Sequence, residues 1–587
     1  METKSIINSI NSVEDLKKFT GEELNLLAQE MRDLIIKKVD ATGGHLGPNL
    51  GIIETTIALH YVFNSPKDKI VYDISHQCYP HKIITGRKDG FINSEGYNKY
   101  TGFTAPEESK HDFFKIGHTS TSISLATGLA KGRDILGNKE NIIALIGDGS
   151  LTGGEALEGL NNAAVLNSNI IIIVNDNDMS IAENQGGICN LLTELRENKG
   201  KVKNNFFEAL GFEYFYLDEG NDIEKLIEMF KKVKDTSHPV IVHIHTQKGK
   251  GFKPAETDRE PFHFILPNTL KHINDEPKEA KEDYNSITKN YILNKVKENE
   301  PVIVINAATP GVFGFNKQFR EELGRNYTDV GIAEQQAVVM ASGLAKAGTK
   351  PILCVMSSFI QRTYDQLSQD LALNNNPATI LVYWGGISGS DATHQCTFDI
   401  SMVSNIPNLV YLSPVYKEEY IKMLDWSVNQ TEHPVVIRVP NMFISSGKED
   451  DTDYSIPNKY KMAEKGNKIA LIGLGDYFSK AMEVKKLLKS KLNIDATLIN
   501  PKFITGVDEE MLEGLKQDHS IVVTLESGIL DGGFGEKITR FYGNSEMKVL
   551  NYGAKKEFTD RIPLDELNIR YRLKPDLIVE DIEKTLK

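Results

Sequence analysis

Short runs of β-branched and other apolar residues alternate with helix-spaced apolar positions along most of the chain. In the first third, NIIALIG (141–147), NIIIIVN (169–175) and PVIVHIH (239–245) are almost continuously apolar. Such runs predict strands covered on both faces, as in a parallel sheet flanked by helices. Between the first two, Ala156, Leu157, Leu160, Ala163 and Ala164 recur at helical spacing, which predicts a strand–loop–helix–strand unit. The polar, charge-rich segment 266–289 reads as a linker. A second series follows at 301–306, 351–357, 378–384, 408–414 and 434–440. An acidic stretch with a proline at 446–461 marks another boundary, and a third series runs through 468–475, 493–500, 520–527 and 547–553. This alternation predicts three α/β domains, each doubly wound on a mostly parallel sheet: residues 1–290, 291–450 and 451–587.

Composition narrows the class. With 587 residues the chain is too long for a single core, and 40% hydrophobic with 25% charged residues is ordinary for a soluble globular protein. A net charge of −14 argues against nucleic acid or an anionic membrane as partner. The four cysteines (Cys78, Cys189, Cys354, Cys396) are far apart, which speaks against a disulfide framework or a cysteine zinc site and for a reducing compartment. The first twenty residues lack the basic flank and apolar core of a signal peptide, and no apolar run approaches the roughly 20 residues of a membrane helix. The expectation is a cytoplasmic, multidomain α/β protein.

Ligands of open parallel sheets gather at the carboxyl ends of strands. There, IGDGS (146–150) ends one buried strand and NDNDMSI (175–181) the next. Asp148 and Asn177 would set two oxygen ligands on neighbouring strand ends, the arrangement Mg²⁺ takes when phosphate oxygens and water complete its octahedron. Gly149 allows close backbone approach, and a helix opening near Gly153 would aim free N–H groups at the same anion. Taken singly, Asp148 reads as a helix cap and Asn177 as a turn residue. The two loops together favour a cation and a diphosphate.

The GDG…Asn spacing resembles the thiamine diphosphate signature. Further stretches resemble one family in order along nearly the whole chain: GGHLGPNLGIIETTIALHYVF (43–63), YDISHQCYPHKIITGRKD (72–89), KIGHTSTSISLATGLA (115–130), KGKGFKPAE (248–256), GIAEQ (331–335), SSFIQRTYDQ (357–366) and LESGILDGGFGEKI (525–538). The chain is thereby similar to the 1-deoxy-D-xylulose-5-phosphate synthases, which are thiamine-diphosphate enzymes of the transketolase-like superfamily. The resemblance implies transketolase-like domains with a mixed sheet in the third, a homodimer, and a reaction that decarboxylates pyruvate and joins the two-carbon unit to glyceraldehyde 3-phosphate. It implies that Asp148, Asn177 and the Met179 carbonyl hold Mg²⁺. His76, Gly117, His118, Thr119, Gly149, Ser150, Phe252, Phe359 and Arg362 would contact the cofactor. Glu334, in DVGIAEQQAV (329–338), would bond the aminopyrimidine and promote its imino form. His45 would handle protons, with His263, Asp391, His394 and Arg438 around donor and acceptor.

Three departures lie where substrates would be read. Trp384, in VYWGG, stands where the family pattern has arginine (DRAG). GSDATH shortens the Asp391–His394 loop by one residue. Pro106, in GFTAPEES, stands in another arginine position. Arginine suits bidentate phosphate binding, so the acceptor stays open between glyceraldehyde 3-phosphate and a different or non-phosphorylated aldehyde. A transketolase with a ketose phosphate donor is the enzymatic alternative, and a protein holding the cofactor only as a structural or sensory ligand is the non-enzymatic one.

Overall fold

The computed structural model describes residues 5–273, 275 and 281–587. It divides into two compact units. Unit 1 is Met1–Glu279 with Gly331–Ala333, and unit 2 is Ala280–Val330 with Glu334–Lys587.

Unit 1 contains β1 (Gly44–His45), β2 (Lys69–Asp73), β3 (Ile142–Gly147), β4 (Ile170–Asp176), β5 (Glu213–Leu217), β6 (Pro239–His245) and β7 (Phe264–Ile265). The five longer strands form one parallel sheet in the order β2-β3-β4-β6-β5. Every residue of β4 is buried, as its unbroken Ile-Ile-Ile-Ile-Val run requires. Each such side chain contributes about 1.5–3 kcal/mol through burial. Helix Gly154–Ala163 returns from β3 towards β4 and buries Ala156, Gly159, Leu160 and Ala163, whereas Leu157, expected on that face, is exposed. β1 and β7 make a separate antiparallel ribbon that pairs His45 with Phe264.

Unit 2 contains β8 (Val302–Asn306), β9 (Tyr327–Asp329), β10 (Lys350–Met356), β11 (Thr379–Tyr383), β12 (Val410–Leu412), β13 (Val435–Arg438), β14 (Lys461–Glu464), β15 (Lys468–Gly473), β16 (Thr497–Asn500), β17 (His519–Ile529) and β18 (Lys548–Ala554). They form a parallel six-stranded sheet, β12-β13-β11-β10-β8-β9, and a five-stranded sheet, β14-β16-β15-β17-β18. The latter is mixed because β14 runs antiparallel to β16.

The segment expected to be a linker and the one expected to mark a boundary are both more ordered than their polarity suggests. Within 266–289, the helix Tyr284–Lys297 already begins, closed by a capping box in which Asp283 and Ser286 exchange hydrogen bonds; residues 274 and 276–280 of that segment lie outside the described residues. In 446–461, Asp450 and Thr452 both bond the fully buried Lys502 at 2.6 Å, so this acidic stretch is fastened to unit 2 by a buried ion pair. Among the described residues, no helix is long and apolar enough to cross a membrane.

Candidate active site

In unit 1 the Asp148 side chain is fully enclosed at the end of β3. Its Oδ1 accepts from Gly149 N–H (2.8 Å), and its Oδ2 accepts from Asn177 N–H (3.1 Å), Met179 N–H (3.1 Å) and Asn184 Nδ2 (2.9 Å). The NDNDMSI loop thus wraps the carboxylate with N–H groups. Its turn places Asp178 in the left-handed region (φ 58°), a conformation an aspartate tolerates. Burial, with the nearby Asp176 carboxylate second, raises Asp148 above its ordinary value. Asp176 goes the other way: against the cost of burial, His243 (2.8 Å) and Arg196 (2.6 Å) hold it well below the carboxylate range.

The side-chain carbonyl oxygens of Asn177 and Asn184 are buried without a hydrogen-bond partner. An amide oxygen left so in the interior costs about 1–3 kcal/mol. A hard cation beside Asp148 would satisfy these oxygens and relieve the raised carboxyl, so the donor set fits Mg²⁺.

Close packing holds this cradle together. A Cβ on Gly149 would lie 2.8 Å from both Cβ and Oγ of Ser180. The Ser180 carbonyl accepts from Lys248 Nζ, and the same ammonium lies 3.1 Å from His263 Nδ1. Lys248 is fully buried, and burial pushes it down to about 7. Asp73, at the end of β2, accepts the N–H groups of Ser120 and Ser122, each at 2.9 Å. It thereby shapes the Gly117-His118-Thr119 loop, while Ser120 Oγ donates to the Ser150 carbonyl (2.8 Å). Phe252, half-buried against the core of unit 1, has its ring edge-on to Phe262 at 5.7 Å.

His45 follows helix Gly21–Thr42 through Gly43 (φ 74°) and Gly44 (φ 138°), two left-handed positions that let the chain leave the helix and enter β1. Asn49 Nδ2 donates to the carbonyls of both His45 and His76 at 2.8 Å, while its Oδ1 accepts from Tyr79 N–H at 2.9 Å. One buried amide therefore ties the two histidine-bearing loops together. The rings of His45, His76 and His263 converge, with centroid separations of 4.4–5.5 Å. Burial, then Lys248, holds His263 well below its ordinary value and keeps it neutral.

In unit 2, Glu334 opens helix Glu334–Lys346 and is buried. Its Oε2 has no hydrogen-bond partner and lies 3.7 Å from Arg362 Nη1. Burial raises its pKa, with Arg362 opposing. A carboxyl in this state can carry a proton and share it with a polar ring nitrogen. Phe359 is half-buried, its ring edge-on to His394 at 5.7 Å. The shortened loop still brings Asp391 and His394 together: Asp391 caps the turn Ala392–His394 and lies 3.5 Å from His394 Nδ1, with Thr393 Oγ1 bonded to both.

Arg438 is buried and engaged internally. Its Nε donates to Asp399 (2.6 Å), its Nη2 to the same carboxylate (3.3 Å) and its Nη1 to Ser527 Oγ (2.7 Å). Trp384 is 51% exposed and adopts φ 62°, a strained conformation for so bulky a side chain. Gly385, next to it, lies so close to the Arg438 guanidinium that an added Cβ would approach Nε to 2.6 Å.

Unit 1 thus assembles Asp148, Asn177, Met179, Gly149 and Ser150 in one cradle and His45, His76 and His263 in an adjoining cluster. Unit 2 groups Glu334 with Arg362, and Phe359 with His394 and Asp391. Sequence reasoning missed Asn49, Asp73, Asn184, Ser180 and a specific role for Lys248. Asn49, Asp73 and Ser180 lie inside the motifs quoted for their neighbours, but their residue types alone do not mark them out.

The sequence bears the same pattern. A family model described as 1-deoxy-D-xylulose-5-phosphate synthase matches residues 7–204 and 196–246. Models of the transketolase pyrimidine binding domain and C-terminal domain match 282–444 and 458–578. The 1-deoxy-D-xylulose-5-phosphate synthase of Clostridium tetani is 36% identical, over 99% of this chain and 100% of its own length. That of Clostridium botulinum is 37% identical, over 97% of both. Among solved structures, transketolase from Campylobacter jejuni matches at 17% identity over 95% of this chain and 98% of its own, with a TM-score of 0.43. At that identity and coverage of the curated relatives, the chain belongs to the 1-deoxy-D-xylulose-5-phosphate synthase family.

Proposed function

We propose that the protein is a thiamine-diphosphate- and Mg²⁺-dependent carboligase that decarboxylates pyruvate and joins the two-carbon unit to glyceraldehyde 3-phosphate. The observation that carries this reading is the partnerless buried oxygen of Asn177 beside the Asp148 carboxylate. Asp148, Asn177 and the Met179 carbonyl hold Mg²⁺. Gly149, Ser150, His76, Gly117, His118, Thr119 and Phe252 bind the diphosphate and thiazolium, while Phe359 and Arg362 serve the pyrimidine. When bound, thiamine diphosphate supplies the electron sink that decarboxylation and ligation need.

The chain's own residues do the proton work. Glu334 takes up and releases a proton at Oε2, the oxygen without a hydrogen-bond partner, and burial favours its protonated form. His263, held neutral, and His45 accept or deliver protons, with Lys248 fixing the orientation of His263. Asp391 sets the ring of His394 at the substrate side, and Arg438 completes the acceptor side. The same reading takes residues 1–290, 291–450 and 451–587 as diphosphate-binding, pyrimidine-binding and C-terminal domains of a cytoplasmic homodimer.

A second reading, favoured by the Arg438–Asp399 pair, is an aldehyde acceptor without phosphate. The Arg438 charge is already neutralised internally, and Trp384 and Pro106 add none. Calorimetric titration tests the cofactor site: thiamine diphosphate binds only with Mg²⁺, and Asp148→Ala abolishes binding. Unchanged binding by that variant refutes the assignment. Comparing kcat/KM for glyceraldehyde 3-phosphate and glyceraldehyde separates the two acceptor readings.

A further inference from the structure

His45, His76 and His263 each offer a ring nitrogen, and these nitrogens all lie within 4.8 Å of one another. The ring centroids are 4.4 Å apart for His45–His76, 5.5 Å for His45–His263 and 5.3 Å for His76–His263. Three imidazoles on one tetrahedral ion, with metal–nitrogen bonds of about 2.0–2.1 Å, set their centroids roughly 5 Å apart. Small side-chain rotations therefore close the triad on a single ion.

The supports are stiff. His45 sits in the β1–β7 ribbon, and Asn49 locks its carbonyl to that of His76. His76 Nδ1 lies 3.0 Å from the Ile74 carbonyl. A ring N–H donated there leaves Nε2 as the lone-pair nitrogen, the orienting contact that metal-bound histidines share.

We propose that these histidines form a binding site for a borderline-soft divalent cation such as Zn²⁺, separate from the oxygen-lined Mg²⁺ cradle of Asp148 and Asn177. Imidazole nitrogens prefer Zn²⁺ and Co²⁺ to Mg²⁺, so an excess of Mg²⁺ keeps the oxygen-lined cradle occupied without competing for the histidines. Three nitrogens leave a fourth position open to water or a substrate carboxylate oxygen. Occupation takes the lone pairs that move protons, so the ion inhibits turnover; that consequence rests on the carboligase reading, the binding itself does not.

The test uses the full-length protein in millimolar Mg²⁺, titrated with Co²⁺ as a spectroscopic probe. The expected result is one Co²⁺ per chain with the intense visible bands of four- or five-coordinate cobalt, displaced by equimolar Zn²⁺. His263→Ala and His76→Ala, shown to be folded by circular dichroism, should each weaken binding about 100-fold. X-ray absorption on the Zn²⁺-loaded wild type, which needs no variant, should count three imidazole ligands. A pale octahedral spectrum, fewer than two imidazoles, or binding that both substitutions leave unchanged overturns the site. Three imidazoles with undiminished CO₂ release in Zn²⁺ overturns the inhibition. Absent CO₂ release before Zn²⁺ is added refutes the carboligase reading and leaves the site standing.

Discussion

Replacing Gly149 with alanine perturbs the cation cradle by one methyl group. The backbone accepts the change, because φ at Gly149 is −61°. The obstacle is Ser180, whose Cβ and Oγ lie 2.8 Å and whose Cα lies 3.3 Å from the new Cβ. Ordinary carbon–carbon contact is about 3.5 Å, so the loop must retreat by roughly 0.7 Å. Met179 and Asn177, on that loop, then lose their 3.1 Å bonds to Asp148. Overpacking of this kind costs about 1–3 kcal/mol, which weakens Mg²⁺-dependent thiamine diphosphate binding roughly 5- to 150-fold. Calorimetry on Gly149→Ala, Ser180→Gly and the double variant measures it. Removing the Ser180 side chain should restore the double variant to within about threefold of Ser180→Gly alone. Wild-type affinity in Gly149→Ala, or a double variant no better than it, refutes the steric argument.

Other expectations follow from named contacts. Asn49→Ala strips the His45 and His76 carbonyls and the Tyr79 N–H of their partner, and at about 1–3 kcal/mol per buried group it should lower the urea midpoint by an amount equivalent to at least ~3 kcal/mol; an unchanged midpoint contradicts the bridge. Asp399→Leu strands the buried Arg438 charge at a cost of about 3–5 kcal/mol, whereas Asp399→Leu with Arg438→Met should recover most of it by thermal melting. Burial pushes Glu526 up to about 7, so the native state holds a proton that the unfolded chain releases near 4.5. Its stabilisation is complete below pH 4.5 and lost as pH rises through 7. Relative to Glu526→Gln, wild-type stability should fall by up to about 1.4 kcal/mol per pH unit in that window. Parallel pH profiles rule this out.

The buried strands of the sheets were legible because each is a near-continuous apolar run; β3, β4, β6, β10 and β11 appear within a residue or two of the pattern. β5, with four half-buried residues at a sheet edge, and β14, wholly exposed, carry no such signature. β2 has only three apolar residues between Lys69 and Asp73, too short an apolar run to stand out. The helix at Tyr284 was hidden by the polarity of its preceding segment, since its start depends on a capping box rather than an apolar face. At the site, spacing pointed to Asp148 and Asn177, which the fold brings into one cradle. Asn49 and Asp73 were not legible, because their work is to bond backbone groups of residues far along the chain, 27 positions from Asn49 to His76 and 47 from Asp73 to Ser120. The engagement of Arg438 by Asp399 is likewise a long-range pairing that residue type alone does not reveal.

The most direct test of the carboligase account is CO₂ release from carboxyl-labelled pyruvate by the purified protein with thiamine diphosphate and Mg²⁺. Release should accelerate when an aldehyde acceptor is added, and Glu334→Ala should abolish turnover while retaining part of the cofactor binding. Absence of acceptor-dependent release with either phosphorylated or unphosphorylated aldehydes, or full activity in Glu334→Ala, contradicts it.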